Sequence, residues 1–191
     1  MMDARSLFRI GTEDIEPGTR RSVELHVSVL SNHTPMSLPV QVIHGRKPGP
    51  AMFISGAVHG DEVMGVEVVR RVVSHSALDD LHGTLLAVPI VNGYGLISHS
   101  RYMPDRRDLN RSFPGSDHGS LASILADLLM REVVLRCSYG IDIHSAALHR
   151  INLPQIRIGP GEEDLLTMAK AFGAPVVLVS KLREGTLRQC A

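Results

Sequence analysis

The sequence predicts an α/β fold with a mixed, largely parallel central sheet that is flanked by helices. Three observations predict this fold: short apolar runs bounded by Gly and Pro, intervening stretches with helical spacing, and the alternation of the two along the chain. A chain of 191 residues is long enough to bury its own hydrophobic core. We therefore expect residues 1–191 to form a single domain.

The amino-terminal half predicts a strand pair followed by two buried strands. Residues 22–30 and 38–43 alternate apolar and polar side chains, which favours two half-buried strands that pair antiparallel. Residues 51–58 and 84–90 are mostly apolar, which is typical of buried strands. Between them, valines at helical spacing predict a helix over 61–75, although β-branched residues are modest helix formers and packing must stabilise it.

The carboxyl-terminal half begins with a long irregular stretch at 91–119, which is rich in Pro, Gly, Asn and Asp. Regular structure resumes beyond it, and we expect helices over 120–135 and 162–172 and strands over 140–146, 154–158 and 175–180. In a parallel sheet, ligands bind at the carboxyl ends of the strands. Two of the predicted strand ends carry histidines, His59 and His144.

Composition excludes several classes of function. Basic and acidic residues number 20 each and no basic block occurs, which argues against binding of nucleic acid. The two cysteines, Cys137 and Cys190, are too few for a disulfide scaffold or a Cys-rich zinc module. No apolar run approaches the roughly 18 residues of a membrane span, and no signal peptide is visible. We expect a cytoplasmic protein that binds no membrane.

Two short motifs could place metal ligands at the predicted strand ends. His59 and Glu62 lie three residues apart just past a buried strand, and imidazole and carboxylate are both zinc ligands. His144 follows the strand predicted over 140–146, with Asp142 on the same face because strand side chains alternate. A carboxylate beside a metal-binding imidazole fixes its tautomer. The alternatives are ordinary turn residues and a core histidine paired with an acid, and Asp142 could serve His59 instead.

The irregular stretch carries a third signal. Four arginines fall within residues 101–111 of an otherwise neutral chain, and Arg is suited to bidentate binding of carboxylates. The alternative is a solvated loop in which the arginines pair with Asp105 and Asp108. For Asn110 and Arg111, which lie between an apolar residue and Ser-Phe-Pro-Gly, we favour a functional role.

Taken in order, the motifs HGDE at 59–62, DLNRSFPG at 108–115 and DIHS at 142–145 resemble the succinylglutamate desuccinylase and aspartoacylase family. The resemblance covers most of the chain, from about Gly11 onward. It implies the fold and mechanism of zinc carboxypeptidases.

The resemblance implies a role for each matching residue. His59, Glu62 and His144 match the three protein ligands of one zinc ion, although such a set also admits cobalt or manganese. Asn110 and Arg111 match the pair that binds the substrate carboxylate.

Further roles follow from the same resemblance. Arg101 matches the arginine that polarises the scissile carbonyl and stabilises the oxyanion, with Arg107 as a rival because the spacing to the Asn-Arg pair differs. Asp142 matches a residue that supports a zinc ligand.

The resemblance leaves the general base unknown. In the family this glutamate lies on a strand beyond the second zinc histidine, after a further helix, and the present sequence ends at Ala191, where that helix is expected to begin. Glu184 precedes Gly185 in a similar context but follows a polar stretch, so we do not assign it as the base. We therefore expect the amino-terminal part of a longer protein, or a truncated product, that binds zinc and hydrolyses amides poorly.

Three functions are compatible with these residues. The first is a zinc-dependent deacylase that cleaves the amide bond of an N-acylated amino acid or a similar small carboxylate. The others are a zinc carboxypeptidase and a catalytically silent zinc-binding module. For the deacylase and the carboxypeptidase, the binding partner is the substrate, a small-molecule or peptide carboxylate. An unpaired sheet edge would also allow the chain to form a homo-oligomer.

Overall fold

The computed structural model of the chain describes residues 5–30, 32–146, 149–161 and 163–191. Glu162, where the second of the two later helices is expected to begin, lies outside the described residues. The strands of the described chain are β1 (Phe8–Ile10), β2 (Glu13–Ile15), β3 (Thr19–Val29), β4 (Pro35–His44), β5 (Lys47–Gly56), β6 (His82–Val88), β7 (Tyr139–Ile143), β8 (Gln155–Ile158) and β9 (Val176–Val179). Its α-helices are α1 (Met64–Val73), α2 (Gly93–Ile97), α3 (Leu121–Glu132), α4 (Glu163–Phe172) and α5 (Leu187–Cys190).

A five-stranded sheet with the order β3-β4-β6-β5-β7 forms the centre of the fold. It is mixed, as the sequence predicts, but its neighbouring pairs divide evenly between antiparallel (β3–β4 and β4–β6) and parallel (β5–β6 and β5–β7). The sheet is therefore mixed as expected, but the expectation that most of its strand pairs would be parallel was wrong. A short loop joins β3 to β4 and forces an antiparallel pair, whereas a helical crossover joins β5 to β6 and allows a parallel one.

The predicted antiparallel pair is confirmed and is longer than expected. Val23 pairs with Val40, and the pairing runs along both strands with one shift of register between His26 and Ser28. The preceding hairpin of β1 and β2 was not predicted, because three-residue strands are too short to show alternation. Its inward-facing side chains, Ile10 and Ile15, are nonetheless buried in the core.

The predicted helix over 61–75 begins later than expected, at Met64. The reason is a tight turn at residues 59–62, in which the Glu62 backbone N–H donates a hydrogen bond to the carbonyl oxygen of His59. Helix α3 ends at Glu132, and a short 3-10 turn over Val134–Arg136 completes the predicted span.

The middle strand of the sheet, β6, is buried on both faces, whereas the edge strand β3 alternates buried and exposed residues. Alternate side chains of a strand point to opposite sides of the sheet. On β6, Leu86 and Val88 join the larger core cluster with helix α3, whereas Leu85 and Ala87 join a smaller cluster with Val69 of helix α1. The central strands are therefore held from both sides and form a rigid base for the loops at their ends.

The carboxyl ends of two parallel strands meet at one edge of this base. Gly56, the last residue of β5, pairs with Ile143, the last residue of β7. The turn at 59–62 and His144 consequently leave the sheet side by side. This register brings together residues that are more than eighty positions apart in the chain.

Strands β8 and β9 form a separate two-stranded parallel sheet that contacts helix α4. Among the described residues, no helix combines the length and apolar character that crossing a bilayer requires.

We predict that Leu86→Ala lowers the free energy of unfolding by about 3 kcal/mol, because it leaves a cavity in the core. The Leu86 side chain is fully buried (0% exposed) on the middle strand of the sheet. Chemical denaturation measures the loss. The matched control is Leu135→Ala at a 69% exposed leucine, which we expect to change stability by no more than about 0.5 kcal/mol. Equal losses in the two variants would contradict the assignment of the core.

Candidate metal centre

Three side chains from two strand ends converge on one point. His59 and Glu62 lie in the turn after β5, and His144 directly follows β7. Potential ligand atoms of the three residues lie within 4.8 Å of one another. The two imidazole rings are 5.0 Å apart between centroids. The structure thus brings together the three residues that the sequence suggests as metal ligands.

A close contact between backbones places Glu62 beside His144. Helix α1 crosses the ends of β5 and β7 so tightly that a Cβ on Gly65 would lie 2.9 Å from the carbonyl oxygen of Ile143. Only glycine allows this approach without displacement of the strand. Because Glu62 lies just ahead of the helix, the approach carries its carboxylate to the end of β7.

The Glu62 carboxylate links the two imidazoles. Its Oε1 lies 2.7 Å from Nδ1 of His59, and its Oε2 lies 2.7 Å from Nδ1 of His144. The backbone N–H of Ser145 also donates to Oε2, at 3.1 Å. The side chain is only 5% exposed, so these contacts replace water almost completely.

A second carboxylate contacts the far side of each ring. Oδ1 of Asp108 lies 3.2 Å from Nε2 of His59, and Oδ2 of Asp142 lies 2.7 Å from Nε2 of His144. An acceptor at Nε2 favours the tautomer with its proton there, which leaves the Nδ1 lone pair of a neutral ring free. Both imidazoles are thereby oriented with Nδ1 toward Glu62.

The contacts of the two aspartates decide one alternative that the sequence left open, and they add Asp108 to the candidate site. Asp142 contacts His144 and does not serve His59. His59 is held by Asp108, which sequence reasoning treated only as a loop acid that pairs with arginines. The position of Asp108 at the start of the DLNR motif was the one feature of the sequence that could have pointed to this role. Asp108 does pair with an arginine as well, since Nε and Nη2 of Arg101 donate to its Oδ2 at 3.1 and 3.0 Å.

The electrostatics of the metal-free cluster favour its charged forms. Burial raises the pKa of Glu62, but its hydrogen bonds to His144 and His59 outweigh burial and lower that pKa to about 2. Burial lowers the pKa of His144, but Asp142 and Glu62 outweigh it and raise that pKa to about 10. The pKa of His59 is likewise raised, because its hydrogen bonds to Asp108 and Glu62 overcome burial. Burial opposes ionisation of Asp108, yet His59 and Arg101 hold the pKa of that carboxyl below its usual range.

The donor set fits a divalent cation. Each Nδ1 lies at hydrogen-bond distance, 2.7 Å, from a carboxylate oxygen, and a proton on the ring satisfies this contact in the absence of metal. With the rings neutral, the lone pairs and the carboxylate oxygens would repel one another unless a cation bound to both. Three carboxylates around the rings, from Glu62, Asp108 and Asp142, are offset by one guanidinium, that of Arg101. Two negative charges are then left over, which a divalent ion would balance. Nitrogen and oxygen donors of this kind suit zinc and also cobalt or manganese.

Arg101 lies at the cluster, and its rival does not. Nη1 of Arg101 is 3.2 Å from Nδ1 of His59 and 3.5 Å from Oε1 of Glu62. Arg107 instead stabilises a turn through its backbone, which donates to Asp105 and accepts from Met103. Among the described residues, its side chain forms no hydrogen bond to the cluster.

Asn110 and Arg111 flank the cluster without contacting its ligands. Asp108 connects the two residues to the cluster. Its Oδ1 accepts a hydrogen bond from the Asn110 backbone N–H at 2.9 Å and also contacts the His59 ring. The side-chain oxygen of Asn110 accepts a hydrogen bond from the Leu187 N–H at 2.9 Å, so its amide nitrogen faces elsewhere. Arg111 is exposed and lines a cavity of about 490 Å³ together with Glu184.

Comparisons with known proteins point to one family. Residues 48–189 match the model of the succinylglutamate desuccinylase/aspartoacylase catalytic domain. The chain is also 31% identical over 148 residues to N-alpha-acetyl-L-2,4-diaminobutyric acid deacetylase of Halomonas elongata, a match that covers 74% of this chain and 43% of that protein.

Two solved structures resemble the fold closely. A succinylglutamate desuccinylase/aspartoacylase from Rhodobacter sphaeroides matches with a TM-score of 0.80 and 26% identity, covering 90% of this chain and 53% of that one. The product-bound ectoine utilization protein EutE (DoeB) of Ruegeria pomeroyi matches with a TM-score of 0.81 and 25% identity, covering 90% and 55%. The chain thus spans about half the length of the relatives it matches.

We predict that Gly60→Ala destabilises the turn that carries His59 and Glu62. A Cβ at this position would lie 1.8 Å from the backbone carbon of Gly95 in helix α2, so the turn must move away. We expect a loss of about 2 kcal/mol or more in the free energy of unfolding, measured by chemical denaturation. The control is Gly93→Ala, since a Cβ there meets no atom within 4 Å. A Gly60→Ala variant as stable as the control would show that this contact does not fix the turn.

Proposed function

The chain belongs to the succinylglutamate desuccinylase/aspartoacylase family, and from this premise we propose that it is a zinc-dependent deacylase. The substrate would be an N-acylated amino acid or a similar small carboxylate, cleaved at its amide bond. The observation that carries the proposal is the convergence of His59, Glu62 and His144 beside an arginine-rich loop. The diaminobutyrate deacetylase of Halomonas elongata, by its name a deacylase of an N-acylated amino acid, supports the reaction class.

In this proposal His59, Glu62 and His144 hold one zinc ion. A zinc ion so bound lowers the pKa of a bound water toward about 7 and polarises a carbonyl group. Asp108 and Asp142 keep the two imidazoles in the tautomer that directs Nδ1 toward the ion. The protein thus supplies a ligand set whose rings are oriented from both sides.

Arg101 would stabilise the negative charge that develops on the carbonyl oxygen. Asp108 accepts two hydrogen bonds from its guanidinium, which fixes the orientation of the group. The remaining Nη1 lies on the side of the ligands, within 3.5 Å of Glu62. A positive donor held in place before the reaction stabilises developing charge more effectively than mobile water does.

Asn110 and Arg111 would bind the carboxylate of the substrate. The Leu187 N–H holds the side-chain oxygen of Asn110, which leaves its NH₂ group as the donor. The Arg111 guanidinium donates through Nη1 to the Asn110 carbonyl oxygen and pairs with no carboxylate within the described part of the chain, so its other N–H groups are available to an incoming carboxylate. The amide nitrogen and the guanidinium are both hydrogen-bond donors, and together they can bind the two oxygen atoms of a carboxylate.

No general base is assigned. The three carboxylates that contact the histidines are engaged: Glu62 by both rings, Asp108 by His59 and Arg101, and Asp142 by His144. Asp61, in the same turn, has a buried Oδ1 without a hydrogen-bond partner among the described residues, but no contact places it at the cluster. Glu184 lines the cavity with Arg111 and lies outside the hydrogen-bonded cluster. We therefore propose that the 191-residue chain binds metal and substrate but turns substrate over slowly.

We predict that the zinc-loaded chain binds N-acetyl amino acids and that Arg111→Ala weakens this binding about 10- to 100-fold. The loss corresponds to a hydrogen-bonded charge pair of about 1.5–3 kcal/mol. Isothermal titration calorimetry measures the affinity, and an amine-release assay measures hydrolysis, which we expect to lie well below about 1 s⁻¹.

Arg21→Ala at an exposed arginine on β3 serves as the control and should leave the affinity unchanged. Tighter binding or faster cleavage of peptides with a free carboxyl terminus would favour the carboxypeptidase alternative. Binding that is unaffected by Arg111→Ala would refute the proposed carboxylate site. Hydrolysis at rates typical of enzymes would show that an acid in this chain serves as the base.

A further inference from the structure

Ser55 is a buried hydroxyl that has no part in the proposed reaction. It lies on β5, is 0% exposed, and donates a hydrogen bond of 2.8 Å to Oδ1 of Asp142. The two residues are register partners on the parallel strands β5 and β7. The contact is therefore fixed by the pairing of the strands and does not depend on a flexible loop.

The hydrogen bond continues a connected path toward the candidate metal centre. Oδ1 of Asp142 accepts from Ser55, and Oδ2 of the same carboxylate lies 2.7 Å from Nε2 of His144. Nδ1 of that ring in turn faces Glu62 at 2.7 Å. One residue, Asp142, thus separates Ser55 from His144, and Ser55 could act on the ligand atom only through that carboxylate.

The two candidate histidines differ in how they are held. The side chain of His59 is only 4% exposed, so surrounding atoms restrict its ring on all sides. The side chain of His144 is 33% exposed and lies just past the end of its strand. Packing leaves this ring freer to rotate, and its orientation depends more on hydrogen bonds.

We propose that Ser55 is a positioning residue that raises the affinity of the site for zinc by holding Asp142 against His144. The inference rests on the proposed metal centre. With one oxygen fixed by Ser55, the carboxylate cannot rotate away from Nε2, and the His144 ring keeps its Nδ1 lone pair directed at the ion. Partners beyond the ligands commonly change metal affinity about 10- to 100-fold when removed.

The test is a double-mutant cycle on the affinity for Zn²⁺, measured by competition with a chromophoric chelator. We expect Asp142→Ala to weaken binding about 10- to 100-fold, and Ser55→Ala about 3- to 10-fold because it acts one contact further out. In the Asp142→Ala background, Ser55→Ala should have no further effect, since the residue through which it acts is gone.

A matched control separates this role from a general loss of stability. Thr84 is another buried hydroxyl of the same sheet, and it contacts Arg5 and His44 rather than the metal centre. Thr84→Val should leave zinc affinity unchanged even if it destabilises the fold. If Ser55→Ala folds poorly, Ser55→Cys keeps nearly the same volume with a weak donor and should also reduce the affinity.

The possible results are distinguishable. A fall in affinity for Ser55→Ala that disappears in the Asp142→Ala background supports the proposal. No fall, or an equal fall in both backgrounds, overturns it while leaving the metal centre intact. An unmutated chain that binds no zinc overturns the metal centre and this inference together.

Discussion

The candidate site depends on one buried carboxylate. Glu62 faces both imidazoles, each through a different oxygen, and is almost entirely removed from water. Burial of a charge is costly unless partners replace the water it loses. Here the partners are two histidines that a carboxylate also contacts from the far side, Asp108 for His59 and Asp142 for His144. With its two imidazoles neutral, the cluster therefore holds more negative charge than Arg101 neutralises, which is the electrostatic setting of a cation site.

The fold provides this arrangement through a few close backbone contacts. Parallel strands β5 and β7 end at the same level, which delivers the turn at 59–62 and His144 to one edge of the sheet. Helix α1 approaches the end of β7 through Gly65, and helix α2 approaches the turn through Gly60. The positions of the ligand side chains thus follow from backbone packing, and the hydrogen bonds around them adjust only their orientation.

The sequence predicts the candidate metal ligands of this site better than the hydrogen bonds that hold them. Short motifs identified His59, Glu62 and His144 because the strand ends could be located from apolar runs. Local patterns could not reveal that Asp108, 49 positions beyond His59, turns back to that ring. They also could not reveal the contact between Ser55 and Asp142, because Ser55 looks like an ordinary strand residue until β5 and β7 are placed in register. The even division of strand pairs was missed for the same reason, since pairing is decided by contacts distant in the chain.

X-ray absorption spectroscopy of the zinc-loaded protein tests the central claim most directly. The account predicts one zinc ion per chain, surrounded by two imidazole nitrogens at about 2.0–2.1 Å and by oxygen atoms at about 2.0–2.2 Å. It also predicts that the spectrum of His144→Ala loses one imidazole contribution. A sulfur shell at about 2.3 Å, which would implicate the cysteines, or a spectrum unchanged by His144→Ala, would contradict it.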